Sequence, residues 1–453
     1  MKKSNVSKNL VYKKILEKEP IYLQVARKYE KLHKNMTTSE ETYLYVYAPV
    51  MVEFIQWILN TAINERRQRL YFLSRDGYQM YLAAKRLTKE LDIPIECRYI
   101  NVSRYALRVP EYHLIGEKCL DRICLGGIDV TFEKVMKRAG LNEEEAYHIA
   151  TVCEYDKKYK EVLSYPEVVG LKEVLGKQKD FFDYVYKHSR EAYDAAIGYL
   201  TQEGMCDSID YAIVDSGWTG TMQQTLYNLI ESTGKRPHMQ GYYFGLYDIP
   251  KEENGLYLSY YFEPKKDIRR KVNFSNCLFE AVYTSPEGMT LRYKKIGDKY
   301  RPEYDSSQNP NKEMVEKHIK LITEYIDLYC DMIKECDILN KSSYRKKSIV
   351  EELLKNMMGT PSKKELETYG YILFSDDVLE GSLQNVAAEL TDEDIKNQRF
   401  LRKAMIMLGL KKGIIHESAW IEGSIVRNGK KVKSYLRHAR MYKYFVYLKK
   451  RFR

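Results

Sequence analysis

The stretch Tyr211-Ala-Ile-Val-Asp-Ser-Gly-Trp-Thr-Gly-Thr-Met-Gln-Gln-Thr-Leu-Tyr-Asn-Leu-Ile230 constrains the fold of this chain more than any other. Residues 211–214 have apolar or aromatic strand character and run into an acid, Asp215. A short run rich in Gly and Thr follows, and a helical pattern begins at about Met222. Strand, small-residue turn and helix together make free backbone N–H groups and the helix dipole converge on an anion. Gly217 and Gly220 let the backbone come close to that anion, and Ser216, Thr219 and Thr221 add hydroxyl donors. An ionised Asp215 can only accept hydrogen bonds, so it suits sugar hydroxyls or a metal-bound water beside the phosphate. The loop has the chemistry of a phosphorylated-sugar site. An ordinary strand–turn–helix junction uses the same residue types for turn and cap, so this stretch alone carries both readings.

A second stretch repeats the grammar. In Arg69-Leu-Tyr-Phe-Leu-Ser-Arg-Asp-Gly-Tyr-Gln-Met-Tyr-Leu-Ala-Ala-Lys-Arg-Leu87, an apolar strand at 70–73 meets the polar turn Ser74-Arg75-Asp76-Gly77. A helix follows, with apolar positions Met80, Leu82, Ala83, Ala84 and Leu87. A further short strand at 96–101 ends in Val102-Ser103-Arg104-Tyr105. Three strand ends carrying Arg75 and Asp76, Arg104, and Asp215 are expected to gather at the carboxyl edge of one parallel sheet, where open α/β sheets bind ligands. Arg75 and Arg104 would offer forked donors to a pyrophosphate.

The run Ile213-Val-Asp-Ser-Gly-Trp-Thr-Gly-Thr221 resembles the ribose-phosphate loop of type I phosphoribosyltransferases, in which an apolar strand enters two acids and a Thr-Gly-x-Thr turn. Leu73-Ser-Arg-Asp-Gly77 resembles that family's pyrophosphate loop. Paired with Val102-Ser-Arg-Tyr-Ala-Leu107, it is also similar to the region after a phosphatase-like domain in bacterial surface-polysaccharide proteins, often described as haloacid-dehalogenase-type hydrolases. The resemblance covers about residues 45–110 and 205–290. It implies a transferase that moves ribofuranose 5-phosphate from phosphoribosyl pyrophosphate to a glycan in capsule or O-antigen synthesis, with a separate phosphatase removing the 5-phosphate. It also implies Mg²⁺, with Asp215 as its ligand. The sequence departs from the family pattern at the second acid, which is Ser216 here, and in a turn shorter by a couple of residues.

By this resemblance Asp215, Arg75, Asp76 and Glu280 are the catalytic candidates. Ser74, Gly77, Ser103, Arg104, Ser216, Gly217, Trp218, Thr219, Gly220 and Thr221 are the substrate-binding ones. Asp76 is the first candidate for general base and Glu280 the second; a solvated helix charge is the other reading of Glu280. Two further classes stay open: a degenerate dehalogenase-type phosphohydrolase using Ser74 and Asp215, and a non-catalytic scaffold of a polysaccharide assembly complex. The first lacks an N-terminal Asp-x-Asp nucleophile motif.

The fold class expected is α/β, a phosphoribosyltransferase-like parallel sheet with a large helical insertion and a mainly helical C-terminal part. The expected divisions are an N-terminal helical segment (1–44), the α/β core (45–290) with its insertion at about 114–205, a mainly helical domain (291–426) and a basic amphipathic tail (427–453). A chain of 453 residues with 44% apolar content has room for two or three domains. Residues 1–40 read as one or two helices with few strong core positions, and Pro49 marks a helix start within 41–64. In the insertion, helical periodicity covers 130–139, 143–153, 171–187 and 191–203. Strands are expected at 239–246 and 256–262, a helix at 274–283, and helices through 311–358 and 363–410. Asp376 and Asp377 read as helix-cap acids before metal ligands.

Eight cysteines are scattered without a Cys-x-x-Cys pair, and eight histidines form no metal-site pattern. This spacing predicts a reducing, cytoplasmic setting, and no apolar run approaches the roughly 20 residues of a membrane span. The net charge of +11 is concentrated in the tail: 427–453 holds eleven Lys/Arg and no acid. Val432, Tyr435, Leu436, Ala439, Tyr442 and Val446 share one helical face there. Such a basic amphipathic helix suits the anionic inner surface of a cell membrane. RNA or an acidic protein would meet the same charge; the resemblance favours the membrane and a lipid-linked glycan acceptor, with no nucleic acid expected.

Overall fold

A computed structural model describes residues 7–452 apart from 128, 253, 306–308, 335–343 and 376–382. Asp376 and Asp377 lie outside the described residues. Five strands, β1 (Arg69–Leu73), β2 (Glu96–Ile100), β3 (Tyr211–Trp218), β4 (Gln240–Leu246) and β5 (Leu256–Phe262), form one sheet in the order β2-β1-β3-β4-β5. Every pairing is parallel. The chain is thus α/β with a parallel sheet and large helical parts, as its alternation of strand and helix patterns predicts.

Alternation along the strands assigns the two faces. Leu70, Phe72, Ala212, Val214, Tyr242 and Phe244 enter one core with the Ala48–Asn64 and Gly77–Glu90 helices. Tyr71, Leu73, Tyr211 and Ile213 face the other way, against the Arg104–Ile115, Lys179–Gln202 and Thr221–Glu231 helices. Both faces are covered, which is why β1 and β4 read as continuous apolar and aromatic runs.

Several local features differ from the expectation. Residues 8–32 supply Tyr12, Leu16, Tyr22, Val25 and Ala26 to the main core. Two of these are tyrosines whose hydroxyls are satisfied internally, Tyr12 by Glu365 and Tyr22 by Glu53, so their rings bury as apolar groups would. The α-helix Ala48–Asn64 carries Pro49 in its first turn, as expected, but it continues a helical run from Thr38 through a π-turn at Tyr43–Tyr47, where the proline has no N–H to donate. This helix is long and apolar enough to cross a membrane, but most of its apolar window is buried inside the protein. In the insertion the break falls at 177–178, between helices Tyr165–Gly176 and Lys179–Gln202.

A hairpin, β6 (Thr290–Ile296) and β7 (Lys299–Tyr304), opens the segment expected to be mainly helical. Gly297, at φ 61°, supplies the first position of its two-residue turn. The insertion buries its own cluster, including Phe132, Met136, Ile149, Leu171 and Phe181. The main core draws on residues 12–62, on the sheet, and on the helices Lys312–Lys334 and Tyr344–Leu354.

Candidate functional site

In the strand order 2-1-3-4-5, connections leave β1 and β3 in opposite directions, so a crevice opens between their carboxyl ends. A cavity of about 460 Å³ lies there. Its lining includes Ser74, Arg75, Asp76, Ser103, Arg104, Asp215, Ser216, Gly217, Trp218, Thr219, Thr221 and Glu280. Of the residues singled out from sequence, Gly77 and Gly220 alone stand behind the lining, shaping its walls.

The loop after β3 is tighter than the sequence pattern indicates. Gly217 pairs with Gly245 and Trp218 with Leu246, so the strand runs three residues past Asp215. Thr219 and Gly220 alone separate it from the Thr221–Glu231 helix. The aromatic ring of Trp218 explains the extension: it meets Tyr247, Phe262, Phe274 and Phe279, while its backbone sits at φ 75°. Gly217 has φ 111°, and a Cβ there would lie 2.4 Å from the carbonyl oxygen of Gly245. Gly220, at φ 62°, caps the helix in the left-handed conformation; no side chain caps its first N–H groups, and Thr221 and Met222 of that first turn line the cavity.

The β1 turn is organised differently. The Ser74 hydroxyl donates to the Val102 carbonyl at 2.5 Å and accepts from the Val102 N–H at 2.8 Å, tying this turn to the segment after β2. Ser103 caps the next helix, accepting from the Ala106 N–H at 2.9 Å and donating to the Thr290 carbonyl at 2.6 Å. Both hydroxyls are engaged in structure, which leaves Arg75, Asp76 and Arg104 as the chemistry-bearing groups of these turns.

Asp76 and Asp215 occupy adjacent strand ends. The Ser216 hydroxyl donates to the Asp76 carboxylate. Burial first, and then the charge of Asp215, pushes the Asp76 carboxyl well above its ordinary range. Burial and then Glu280 do the same to Asp215, against the pull of the Ser216 and Gly217 N–H groups and of Arg104. Glu280 is no freely solvated helix charge: it is half-buried, lines the cavity and accepts from the Trp218 indole N–H.

Two arginines escaped the sequence reading. Arg108, 3% exposed, donates from Nη2 to the Thr221 hydroxyl at 3.1 Å. Its Nε and Nη1 are buried with no hydrogen-bond partner. Burial, and then the neighbouring Arg104 and Arg122, push this guanidinium down to about 9. Arg122 reaches the cavity from the insertion and donates to Gln224 of the Thr221–Glu231 helix. Arg108 follows Arg104 by one helical turn, a spacing that puts both on one face and is visible in sequence. Nothing local in the sequence places Arg122, which is positioned by the fold of the insertion.

No cluster of three or more His, Cys, Asp or Glu is arranged to hold a metal ion among the described residues. The acid pair nevertheless fits Mg²⁺, which takes one or two carboxylates and completes its shell with phosphate oxygens and water. The two carboxyls resist ionising side by side, and a divalent cation relieves that repulsion. Asp76, in the turn after β1, accepts the Ser216 hydroxyl from the end of β3, so the two carboxyl-bearing strand ends are tied together. No family model matches this chain, and no curated protein matches it either.

Proposed function

We propose that this chain is a glycosyltransferase that moves ribofuranose 5-phosphate from phosphoribosyl pyrophosphate to a sugar hydroxyl of a growing surface polysaccharide, releasing pyrophosphate. One observation carries the reading. At a single sheet switch point, an arginine-lined helix N-terminus stands beside two carboxylates held above their ordinary range.

The 5-phosphate meets the first N–H groups of the Thr221–Glu231 helix, the hydroxyls of Thr219 and Thr221, and the partnerless N–H groups of Arg108. Asp215 accepts from the ribose hydroxyls. The pyrophosphate lies over Ser74–Gly77, with Arg75 and Arg104 spreading its charge. Asp215 would hold Mg²⁺, which supplies further neutralisation of the leaving group when bound. The C1–O bond to pyrophosphate breaks, its electron pair leaves with pyrophosphate, and the acceptor hydroxyl forms the new C1–O bond. Fixed cations on the departing group act where charge develops, so they carry most of the rate enhancement.

The hydroxyl proton passes to a carboxylate. Asp76, with its raised proton affinity, is suited to accept it. Glu280, oriented by Trp218, is the second candidate. A lipid-linked acceptor at the cytoplasmic membrane face and a separate 5-phosphatase are the partners this reading calls for. Calorimetric titration of phosphoribosyl pyrophosphate, with and without Mg²⁺, tests it. Micromolar binding lost in Asp215→Ala is expected; absence of binding under both conditions overturns the proposal.

A further inference from the structure

The tail helix does not present to solvent the face its sequence pattern singles out. In Val432–Arg451, the side chains of Tyr435, Leu436 and Ala439 are buried against Leu390, Ile395 and Ile425. Tyr447 stacks on Tyr247 with ring centroids 5.6 Å apart, and Tyr247 in turn meets Trp218 at 5.9 Å. The helix is thereby fixed to the sheet end that bears the cavity.

A different apolar surface remains uncovered beside it. The Phe400–Met407 helix lies along the tail: Phe400 stacks on Phe445 at 5.1 Å, and the Lys403 ammonium stands 4.7 Å from the Tyr442 ring centroid. Leu401 and Leu408, one i,i+7 stripe, are 70% and 71% exposed. The loop at 408–416 then folds back, its Ile414 carbonyl accepting from Asn397 at 3.0 Å, and leaves Leu410 74% and Ile414 69% exposed. On the tail, Phe445, the partner of Phe400, and Phe452 are also exposed. Scattered single exposed leucines need no explanation, but four strongly exposed apolar side chains within 401–414, on and just after a helix whose Phe400 stacks on the exposed Phe445, mark an interaction surface.

Charge identifies the occupant. Between Arg399 and His416 there are five Lys/Arg and no acid, and 427–453 adds eleven more with none. Arg402, Lys403, Arg427, Lys430 and Lys443 are neutralised by Glu393, Glu417, Glu389, Asp392 and Glu422. Lys411, Lys412, Lys449, Lys450 and Arg451 have no ion pair among the described residues. Leucines at the tip of a loop, flanked by cations without acids, match a bilayer interface, where apolar side chains enter the acyl boundary and lysines meet anionic headgroups. A second protein copy offers the apolar match but adds like charge to like.

We infer that the 401–414 segment, with the exposed side of the tail helix, docks this protein on an anionic lipid bilayer. The surface stands on its own observations and holds whether or not the transferase reading does.

Co-sedimentation of the full chain with phosphatidylglycerol-containing vesicles and with neutral phosphatidylcholine vesicles tests the inference. The wild-type chain binds the anionic vesicles far more strongly. Leu408→Asp and Leu410→Asp each lower that binding about tenfold, the loss expected when a leucine is no longer buried. Lys411→Glu with Lys412→Glu lowers it and weakens its salt dependence, the tail cations keeping the remainder. These positions are exposed, so circular dichroism and phosphoribosyl pyrophosphate binding in the absence of lipid stay at wild-type levels. Equal vesicle binding by the leucine variants overturns the inference. So does absence of wild-type binding, or a concentration-dependent dimer that Leu410→Asp abolishes, which would assign the surface to a second copy.

Discussion

Replacing Arg108 by Met should make the ligand-free protein more stable while weakening its hold on phosphate. The guanidinium is 3% exposed, and it donates from Nη2 to the Thr221 hydroxyl at 3.1 Å. Burial, and then the neighbouring Arg104, pushes it down to about 9, well below the ordinary guanidinium range. A base whose folded-state value is depressed binds protons less well when folded, so at neutral pH, below both values, the full penalty of keeping it charged applies. That penalty is roughly 5 kcal/mol. Methionine fills similar space without charge but forfeits the hydrogen bond to Thr221, a loss of about 1.5–3 kcal/mol. The net expectation is a gain of about 2 kcal/mol, which in a chain of this size raises Tm by about 2–4 °C. Differential scanning calorimetry with and without phosphoribosyl pyrophosphate reads both halves. At a ligand concentration of about 100 Kd, the wild-type chain gains roughly 2.7 kcal/mol, and a tenfold weaker variant gains about half as much. The two melting curves should therefore converge as ligand is added, the variant keeping less than half of its lead. An Arg108→Met protein that melts lower than wild type when empty, yet is stabilised equally by ligand, would refute the reasoning.

Two other perturbations follow from the geometry. Gly217→Ala places a Cβ 2.4 Å from the Gly245 carbonyl oxygen at φ 111°; urea unfolding should show a loss of at least about 2–3 kcal/mol, and wild-type stability would contradict the strand pairing described. His318 is fully buried, with Nε2 2.9 Å from the Ser39 hydroxyl, and burial pushes it down to about 3. Its folded value lies below its ordinary 6.5, so its share of stability is present above pH 6.5 and is lost as pH falls. Between pH 7.5 and 5 that share is about 2 kcal/mol, and a His318→Asn protein that keeps the same acid-side slope would exclude it.

What the sequence discloses and what it hides divide along physical lines. The five strands and both loops are legible because buried parallel strands leave unbroken apolar runs and their turns require Gly, Ser and Thr in short order. Arg75, Asp76, Arg104 and Asp215 converge because each follows a strand of the same sheet, a consequence of parallel topology alone. Arg122 is hidden because its place depends on how the insertion folds back, which no local period encodes. The first two helices contribute to the core through tyrosines, which hydropathy counts as polar until the hydroxyl has a carboxylate partner such as Glu53 or Glu365. The tail misleads for a related reason: an apolar helical face says that something covers it, and here Leu390, Ile395 and Ile425 do.

The cavity brings together buried charge of both signs. Arg108 is held below its ordinary range and Asp76 and Asp215 above theirs, within one cavity. They do not neutralise one another, because Thr221 meets the guanidinium and Ser216 meets the Asp76 carboxylate. Inorganic phosphate would satisfy the arginine and leave the acids repelling. A sugar without phosphate would engage the acids and leave two guanidinium nitrogens unsatisfied. A molecule that is anionic at one end and hydroxylated in its middle relieves both at once, and a second anionic group accompanied by a divalent cation engages Arg75 and Arg104 as well. Sites that are strained when empty hold their specificity in that strain, since a partial ligand leaves part of the penalty in place. On this reasoning the proposed phosphorylated sugar donor would be preferred over its fragments because of the mismatched arginine and acid pair, with the Gly- and Thr-rich turn setting the distance between them.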